Sequence, residues 1–208
     1  MKTCSSAAAS TLADRRYWVF DMDGTLTIAM HDFDAMRAEL ELPVGKPILE
    51  ALDAMPEHEA SIKREALDTM ELRMAADARE QPGATALLEA LSASGTRLGI
   101  VTRNGKNIAH ATLDACGLGH FFDDADVVSR DCAPAKPDPG GIHLLLERWA
   151  ASPNSAVMVG DYRFDLEAGQ RAGCVTVHVN VDNGDTWPTH THHVVTSLHA
   201  LRAIALPD

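Results

Sequence analysis

Short apolar stretches alternate with amphipathic stretches along most of this chain, and this alternation restricts the possible folds more than any other feature. The apolar stretches predict strands at residues 17–20, 98–102, 127–128, 156–160, 174–179 and 194–195. Strands that are apolar on both faces and separated by helices indicate a parallel sheet with helices on both sides. Because crossovers between parallel strands are right-handed, the sequence predicts a doubly wound α/β fold.

The stretches between the strands have the spacing of amphipathic helices, with apolar residues three and four positions apart, such as Leu87, Leu88 and Leu91. This spacing predicts helices at residues 84–94, 106–116, 141–151 and 166–172, and a final helix that begins after Ser197. Ligands of doubly wound folds bind outside the carboxyl ends of the strands, so a functional site is expected at that edge of the sheet.

One segment breaks the alternation, because no convincing strand occurs between Ala29 and Gln81. It contains three helical patterns instead, separated by prolines. Their apolar residues are Phe33, Met36 and Leu40; then Ile48, Leu52 and Met55; then Ile62, Ala66, Met70 and Met74. We therefore predict a small helical domain at residues 29–82, inserted into an α/β core of residues 16–28 and 83–208, with residues 1–15 as an N-terminal tail.

Composition and charge exclude several classes of function. The chain is 46% hydrophobic and 23% charged, which is typical of a globular protein. A net charge of -12 argues against nucleic acid as a partner, since phosphate backbones select basic surfaces. No apolar run is long enough to cross a membrane, and the start of the chain lacks the leucine-rich region of a secretory signal. The four cysteines form no CxxC pair, so we expect free thiols and a cytoplasmic protein.

Polar residues follow the predicted strands at the edge where a site is expected. Asp21 and Asp23 follow the first strand, and the second is followed by Thr102, Arg103 and Asn104. The remaining candidates, each after a later strand, are Lys136 in APAKPDPGG and the two acids of GDYRFD, Asp161 and Asp165. Because the carboxyl ends of parallel strands share one edge, these side chains are expected to lie together.

Several carboxylates in one place need a positive charge to compensate them. Mg²⁺ is suited to this role because it prefers oxygen ligands and needs only one or two carboxylates besides water and phosphate oxygens. A lysine adds a second positive charge, and the helix start after Thr102 offers backbone donors for an anion. Together these groups predict phosphoryl transfer, in which an aspartate attacks phosphorus and a second acid moves the proton.

The motifs that carry this chemistry also resemble a known family. DMDGT, the strand end at Thr102, Lys136 in KPDP, and GDYRFD have the order and approximate spacing of the haloacid dehalogenase superfamily. The resemblance covers residues from Arg16 to about Ala200 and is to phosphatases with a small helical cap, similar to phosphoglycolate phosphatases. It implies a Rossmann-like core, the inserted domain as a cap, and a Mg²⁺-dependent phosphatase that forms an aspartyl-phosphate.

The resemblance also implies a role for each candidate residue. Asp21 is expected to be the nucleophile and a metal ligand, and Asp23 the general acid and base with its backbone carbonyl on the metal. Asp161 is expected to bind Mg²⁺, and Asp165 to bind it or support the site. Thr102 and Lys136 are expected to hold the phosphoryl group, with Lys136 also contacting the nucleophile. Arg103 and Asn104 are interpreted as further phosphate contacts.

Simpler interpretations exist for some of these residues. Asp165 has the position of a helix N-cap, and Thr25 that of a hydroxyl capping the backbone after a tight turn. Arg103 and Asn104 also suit the start of a helix. The histidines of WPTHTHHVV, His190, His192 and His193, lie in a Pro- and Thr-rich stretch with little scaffold for a metal, so we interpret them as loop residues.

The acid at position 23 favours a phosphate ester as substrate, since the dehalogenase and phosphonatase branches of the superfamily lack it. A sugar-phosphate mutase is the alternative, although that group has valine or isoleucine where this chain has Thr25. A non-catalytic binding module is a second alternative, disfavoured because every catalytic position is present. The protein is expected to act on a small phosphate ester as a monomer or homodimer.

The sequence leaves the substrate open. The predicted cap has six basic and thirteen acidic residues, which does not favour an acidic substrate unless an arginine points inward. The chain also has Thr27, Ile28 and Ala29 where phosphoglycolate and sugar-phosphate phosphatases usually have an Asp-Ser pair.

Overall fold

The computed structural model describes residues 11–30 and 32–207. The predicted loose tail at residues 1–10, together with Cys4, lies outside the described residues. At residues 11–15 the chain forms a short 3-10 helix, Leu12–Asp14, against the core. Leu12 is buried there at 4% exposure and packs in the same apolar cluster as the last helix of the chain.

Six parallel strands form a single sheet in the order β3-β2-β1-β4-β5-β6. The strands are β1 Tyr17–Phe20, β2 Arg97–Val101, β3 Val127–Val128, β4 Ala156–Gly160, β5 Val175–Val179 and β6 His193–Val195. The first strand lies at the centre, paired with β2 on one side and β4 on the other. The predicted doubly wound parallel α/β sheet is confirmed.

Helices cover both faces of this sheet. They are α4 Ala84–Ala93, α5 Lys106–Ala115, α6 Gly140–Arg148, α7 Arg163–Arg171 and α8 Leu198–Ala205. The side chains of β1 alternate between the faces: Trp18 and Phe20 pack with α4, α5 and α8, and Val19 packs with α6 and α7. All three side chains are 0% exposed. The central strand is therefore apolar on both faces because both faces are covered.

Three further helices lie between β1 and α4, as the sequence predicts: α1 Phe33–Glu39, α2 Ile48–Asp53 and α3 Glu57–Ala76. They have a separate apolar core, which includes Met36, Leu40, Leu52 and Leu67. The two chain segments that connect them to the sheet run side by side. The Gln81 amide donates to the Leu26 carbonyl over 2.8 Å, and the Ile28 amide donates to the Arg79 carbonyl over 3.0 Å.

The buried face of α3 agrees with the predicted one only in part, since Met70 and Met74 pack against the cap core as predicted but two other residues do not. Ile62, placed on the apolar face by the sequence pattern, is 69% exposed, and Ala66 is also exposed. The buried positions are instead Leu67, Glu71 and others on the same side of the helix. The reason is that α3 packs both against the other cap helices and against α5. Because the buried side of α3 contacts both the cap helices and α5, it includes a charged residue, Glu71. Apolar periodicity does not predict the burial of a charged residue.

Other features of the chain are consistent with the expectations. Cys116, Cys132 and Cys174 are free thiols, as predicted for the described part of the chain. Ser197 caps α8 by accepting a hydrogen bond from the Ala200 amide, as predicted. Across the described ranges, none of the helices combines the length and the apolar character that crossing a membrane requires.

Candidate active site

Four neighbouring strands end at one edge of the sheet, and each is followed by a predicted site residue. Asp21 follows β1, Thr102 follows β2, Lys136 lies in the loop after β3, and Asp161 follows β4. The sheet order places these four strands side by side. All four residues line one cavity of about 380 Å³, together with the other predicted site residues Asp23, Arg103, Asn104 and Asp165. The remaining wall of the cavity is formed by the cap helices.

Lys136 is the buried positive charge of the site. Its side chain is 1% exposed, and its Nζ lies 2.5 Å from Asp21 Oδ1 and 2.7 Å from Asp165 Oδ1. Burial lowers the pKa of Lys136, but the charges of Asp165 and Asp21 outweigh this effect and raise the pKa overall. The ammonium therefore stays protonated and fixes the positions of two carboxylates.

Three carboxylates surround this lysine and exceed its charge. One oxygen each from Asp21, Asp161 and Asp165 lies within 4.8 Å of the others. Burial raises the pKa of Asp21 despite the charge of Lys136. Burial, followed by the charge of Asp21, raises the pKa of Asp161 to about 8 and that of Asp165 to about 6. A single lysine therefore leaves the cluster short of positive charge.

This set of donors fits Mg²⁺. The ligand atoms are carboxylate oxygens, which hard divalent cations prefer, and they converge on one point beside an open cavity. A bound cation adds the positive charge that the cluster lacks. The side chain of Asp23 is not part of the converging group, and its predicted contribution through the backbone carbonyl stays a prediction.

Asp23 is held apart from the cluster by Asn104. The Asn104 Nδ2 donates a hydrogen bond of 2.8 Å to Asp23 Oδ2. Burial raises the pKa of Asp23 to about 6, although the hydrogen bond from Asn104 lowers it. A carboxyl group whose pKa lies near neutrality can both give and take a proton during a reaction. Asn104, interpreted from the sequence as a phosphate contact, thus orients Asp23 through its side chain.

Thr102 has a hydroxyl hydrogen available for a ligand. The backbone amide of Asn104 donates to Thr102 Oγ1 over 3.1 Å, and the hydroxyl donates to no group in the described part of the chain. One backbone donor at the start of α5 is already occupied, because the Lys106 amide bonds Asp131 Oδ2 at 2.7 Å. The side chain of Thr102 is therefore the better-supported anion contact on this loop.

Arg103 connects the core to the cap. Its guanidinium donates to Glu50 of α2, with a distance of 2.7 Å to Oε2, and also donates to the backbone carbonyl of Lys136. It lies over the ring of Phe164, 4.7 Å from the centroid. Arg103 lines the cavity, but its hydrogen bonds in this structure are to protein groups, and its contact with phosphate stays a prediction.

Thr25 and Gly24, which follow the first two candidate acids, have closer contacts with the site than the sequence suggested. Thr25 Oγ1 lies 3.3 Å from Asp21 Oδ2 and 3.2 Å from Asp161 Oδ1, so its acceptors are carboxylates rather than backbone. Gly24 has a φ of +88°, and a Cβ there would lie 2.3 Å from Asp161 Oδ2. The tight turn of DGT therefore brings two strand ends together, which its composition alone did not reveal.

The N-cap interpretation of Asp165 is wrong, because Tyr162 is the N-cap of α7 and Asp165 lies in the first turn of that helix, while its role at a metal stays a prediction. Asp165 accepts a hydrogen bond of 3.0 Å from the Tyr162 amide at the start of α7, and it pairs with Lys136 in the site. His178, at the end of β5, was not predicted as a site residue. It is buried, and its Nε2 lies 3.0 Å from the carbonyl oxygen of Asp161. This contact supports the backbone that carries a candidate metal ligand.

The three clustered histidines bind other protein groups. His190 Nδ1 lies 2.6 Å from Gln170 Oε1, and His192 Nδ1 lies 2.8 Å from Thr176 Oγ1. His193 is in β6. Within the described residues, the acidic cluster is the one group of three or more side chains with metal-ligand spacing. His190 and His192 connect their loop to α7 and β5, whereas His193 lies in a strand and not in the loop that the sequence predicts.

The doubly wound sheet, the helical insert and the carboxylates at the strand ends define an α/β protein with an acidic candidate site. The chain belongs to the haloacid dehalogenase-like hydrolase family, whose profile matches residues 18–179. The resemblance drawn from the four motifs is thereby confirmed.

Individual relatives agree with this assignment. The chain is 31% identical over 192 residues to an uncharacterized hydrolase of Saccharomyces cerevisiae, covering 89% of this chain and 87% of the relative. It is 28% identical over 193 residues to a phosphoglycolate phosphatase of Pseudomonas syringae, covering 80% and 70%. A crystal structure of a hydrolase from Pseudomonas syringae has the same fold, with a TM-score of 0.74 at 21% identity over 90% of this chain and 96% of the other.

Proposed function

We propose that the protein is a Mg²⁺-dependent phosphatase that hydrolyses small phosphate monoesters through an aspartyl-phosphate on Asp21. The observation that carries this proposal is the arrangement around Asp21. One of its oxygens is paired with Lys136, and the side chain converges with Asp161 and Asp165 on a point suited to a cation. Burial raises the pKa of Asp23, two residues further along the chain, to about 6, which suits a group that gives and takes a proton.

The first chemical step is attack by an Asp21 carboxylate oxygen on phosphorus, with breakage of the bond between phosphorus and the ester oxygen. Asp23, protonated at this stage, gives its proton to the departing oxygen. Lys136 and the Thr102 hydroxyl hold the phosphoryl oxygens as negative charge shifts onto them. Asp21 and Asp161, with Asp165 beside them, would hold Mg²⁺, which would neutralise negative charge during this transfer.

The second step regenerates the enzyme. Asp23, now ionised, takes a proton from a water molecule, and the resulting oxygen attacks the phosphorus of the aspartyl-phosphate. The acyl-phosphate bond breaks, inorganic phosphate forms, and Asp21 returns as a carboxylate. Asn104 keeps Asp23 in place through both steps by its 2.8 Å hydrogen bond.

The size of the cavity supports a small substrate. About 380 Å³ lies at the lower end of the range for small-molecule sites, and the cap helices close one side of it. The relative from Pseudomonas syringae is named a phosphoglycolate phosphatase, and we propose a short phosphate ester of that kind for this chain. We further propose that the protein works in the cytoplasm, as a monomer or homodimer.

The test is phosphate release from a panel of small esters, including phosphoglycolate and common sugar phosphates, with and without Mg²⁺. Asp21→Asn is the inactive control, and its circular dichroism spectrum should match that of the wild type. We expect Mg²⁺-dependent release that this variant loses by about 10³-fold or more. Conversion of a sugar phosphate to its isomer without phosphate release would indicate a mutase instead. Absence of any reaction by folded protein would favour a binding role.

A further inference from the structure

The cap as a whole is acidic, but its cavity wall is basic. Of the thirteen acidic and six basic residues at positions 29–82, the cavity is lined by one acid, Glu71, and by two basic residues, Arg37 and Lys46. Glu71 is already paired, with its Oε2 3.0 Å from Arg130 of the core. The unbalanced charge on the cap side of the cavity is therefore positive, opposite to that of the cap overall.

Arg37, on the cap side of the cavity, uses only some of its hydrogen-bond donors. It lies on α1 with a side-chain exposure of 16%, and its one ion pair is with Asp34, whose side chain is 83% exposed. Its Nε is buried and has no hydrogen-bond acceptor in the described part of the chain. A second donor, Nη1, reaches the Lys46 carbonyl only at 3.5 Å. A guanidinium has five N–H donors, so Arg37 retains donor capacity at the cavity.

Lys46 lies beside it in the turn before α2. No carboxylate lies within ion-pairing distance of its ammonium in the ranges that the structure describes, and the side chain lines the same cavity. Two other basic residues of the cap have partners away from the cavity. Lys63 bonds the Leu40 carbonyl, and Arg64 pairs with Asp53 and Glu57. The two cavity bases thus form a positive wall across from the phosphate site at Lys136.

We infer that Arg37 and Lys46 form a subsite for a second anionic group on the substrate. This inference rests on the proposed function and narrows it to short phosphate monoesters that carry a carboxylate or a second phosphate. The phosphate binds at the strand ends, and the second anion reaches the guanidinium of Arg37, where charge-assisted hydrogen bonds form. The apolar part of the wall includes Phe33 and Ile48, and the cap carboxylate on the cavity, Glu71, is paired with Arg130.

A pair of matched esters tests the inference. 2-Phosphoglycolate carries a carboxylate where 2-hydroxyethyl phosphate carries a hydroxymethyl group, and both present the same phosphate to the strand ends. We expect wild-type kcat/KM to favour the acidic ester by about tenfold or more. Arg37→Gln should lower kcat/KM for the acidic ester by about 10- to 100-fold and for the neutral ester by less than about threefold.

Two further variants separate recognition from structure. Arg37→Lys keeps the charge and should retain most of the preference. Arg73→Gln removes the same charge from an exposed cap position that does not line the cavity, and should change neither ester. Titration calorimetry of both esters with Asp21→Asn, which does not turn them over, should show the same ranking in Kd. This readout does not depend on the rate of the chemical step.

Two outcomes would overturn the inference. If the wild type had equal kcat/KM for both esters, the second-anion subsite would be rejected. The proposed phosphatase activity would not be affected by that result. An equal loss for both esters in Arg37→Gln would mean that Arg37 only supports the cap. If neither these esters nor the wider panel were hydrolysed, the proposed function itself would fail, and the inference with it.

Discussion

The two walls of the cavity are built in different ways. On the sheet side, Lys136 is 1% exposed and pairs with two buried carboxylates, each fixed by a strand end or a helix start. On the cap side, Arg37 sits on a helix of seven residues and pairs with an exposed aspartate. The groups that we propose to react are therefore held by buried contacts at the ends of the sheet strands. The groups proposed for recognition belong to a part that can change its contacts when a substrate binds.

Because of this difference, we expect substitution of the buried Lys136 to have the largest effects on activity and stability. Lys136→Met should lower kcat by about 10³-fold, because a phosphoryl contact is lost. It should also lower the free energy of unfolding without metal by about 3–5 kcal/mol, because Asp21 and Asp165 lose their buried counter-charge. Denaturant titrations with and without Mg²⁺ measure both effects. Mg²⁺ should raise the stability of the variant more than that of the wild type, since it replaces the missing charge.

Lys106→Met provides the matched control, because Lys106 pairs with the exposed Asp124 outside the cavity. We expect little change in activity or in the response to Mg²⁺. A Lys136→Met protein with the stability and Mg²⁺ response of the wild type would show that the buried pair does not organise the site.

Two glycines, one beside the strand-end carboxylates and one in the cap, allow the two sides of the cavity to be compared through the backbone. Gly24 in the sheet-side wall has a φ of +88°, and Gly45 in the cap has a φ of +77°. A Cβ at Gly24 would overlap Asp161, whereas a Cβ at Gly45 meets nothing within 4 Å. Both alanine variants pay a left-handed backbone cost of about 1–2 kcal/mol. Gly24→Ala should in addition lower kcat/KM by about 100-fold, because a displaced Asp161 misplaces the site.

Steady-state kinetics and thermal melts of the two alanine variants separate these contributions. Gly45→Ala should be less stable and nearly as active as the wild type. Equal losses of activity in both variants would mean that backbone strain, and not the close approach to Asp161, limits the reaction.

The packing of the cap can be tested through α3. Leu67 is 1% exposed in the cap core, so Leu67→Ala should lower the free energy of unfolding by about 2–4 kcal/mol. Ile62 is 69% exposed, and Ile62→Ala should change it by less than about 0.5 kcal/mol. Chemical denaturation measures both. A larger loss from Ile62→Ala would support the face predicted from sequence against the one in the structure.

The sheet side of the site could be predicted from sequence because its geometry follows from topology. Once the strands were recognised, Asp21, Thr102, Lys136 and Asp161 had to meet, since parallel strands end at one edge. The cap side could not be predicted in this way. Whether Arg37 points into the cavity depends on how α1 packs against the other cap helices, and no local pattern encodes that packing.

Contacts between distant residues explain the remaining differences from the sequence predictions. Thr25 bonds a carboxylate 136 positions away, and Arg103 bonds Glu50, 53 positions away. Each partner is an ordinary polar residue, so composition and spacing give no sign of the pairing. The buried face of α3 has the same origin, because Glu71 is buried in contact with Arg130, 59 positions further along the chain.

Two of the ion pairs between core and cap give the finest test of the comparison. Arg130 joins α3 through Glu71, whose side chain is 9% exposed, while Arg103 joins α2 through Glu50, whose side chain is 45% exposed. Glu50→Gln should lower the free energy of unfolding by less than about 1 kcal/mol and change KM by less than about threefold, since solvent screens the pair. Glu71→Gln, with the same loss of charge, should lower it by about 1–3 kcal/mol, because Arg130 loses its buried carboxylate partner and keeps only the exposed Asp68. Denaturation and kinetics of both variants measure these effects. If Glu50→Gln lowered the free energy of unfolding more than Glu71→Gln, the contact at Arg103 would be the stronger of the two. The roles assigned to the two ion pairs would then be reversed.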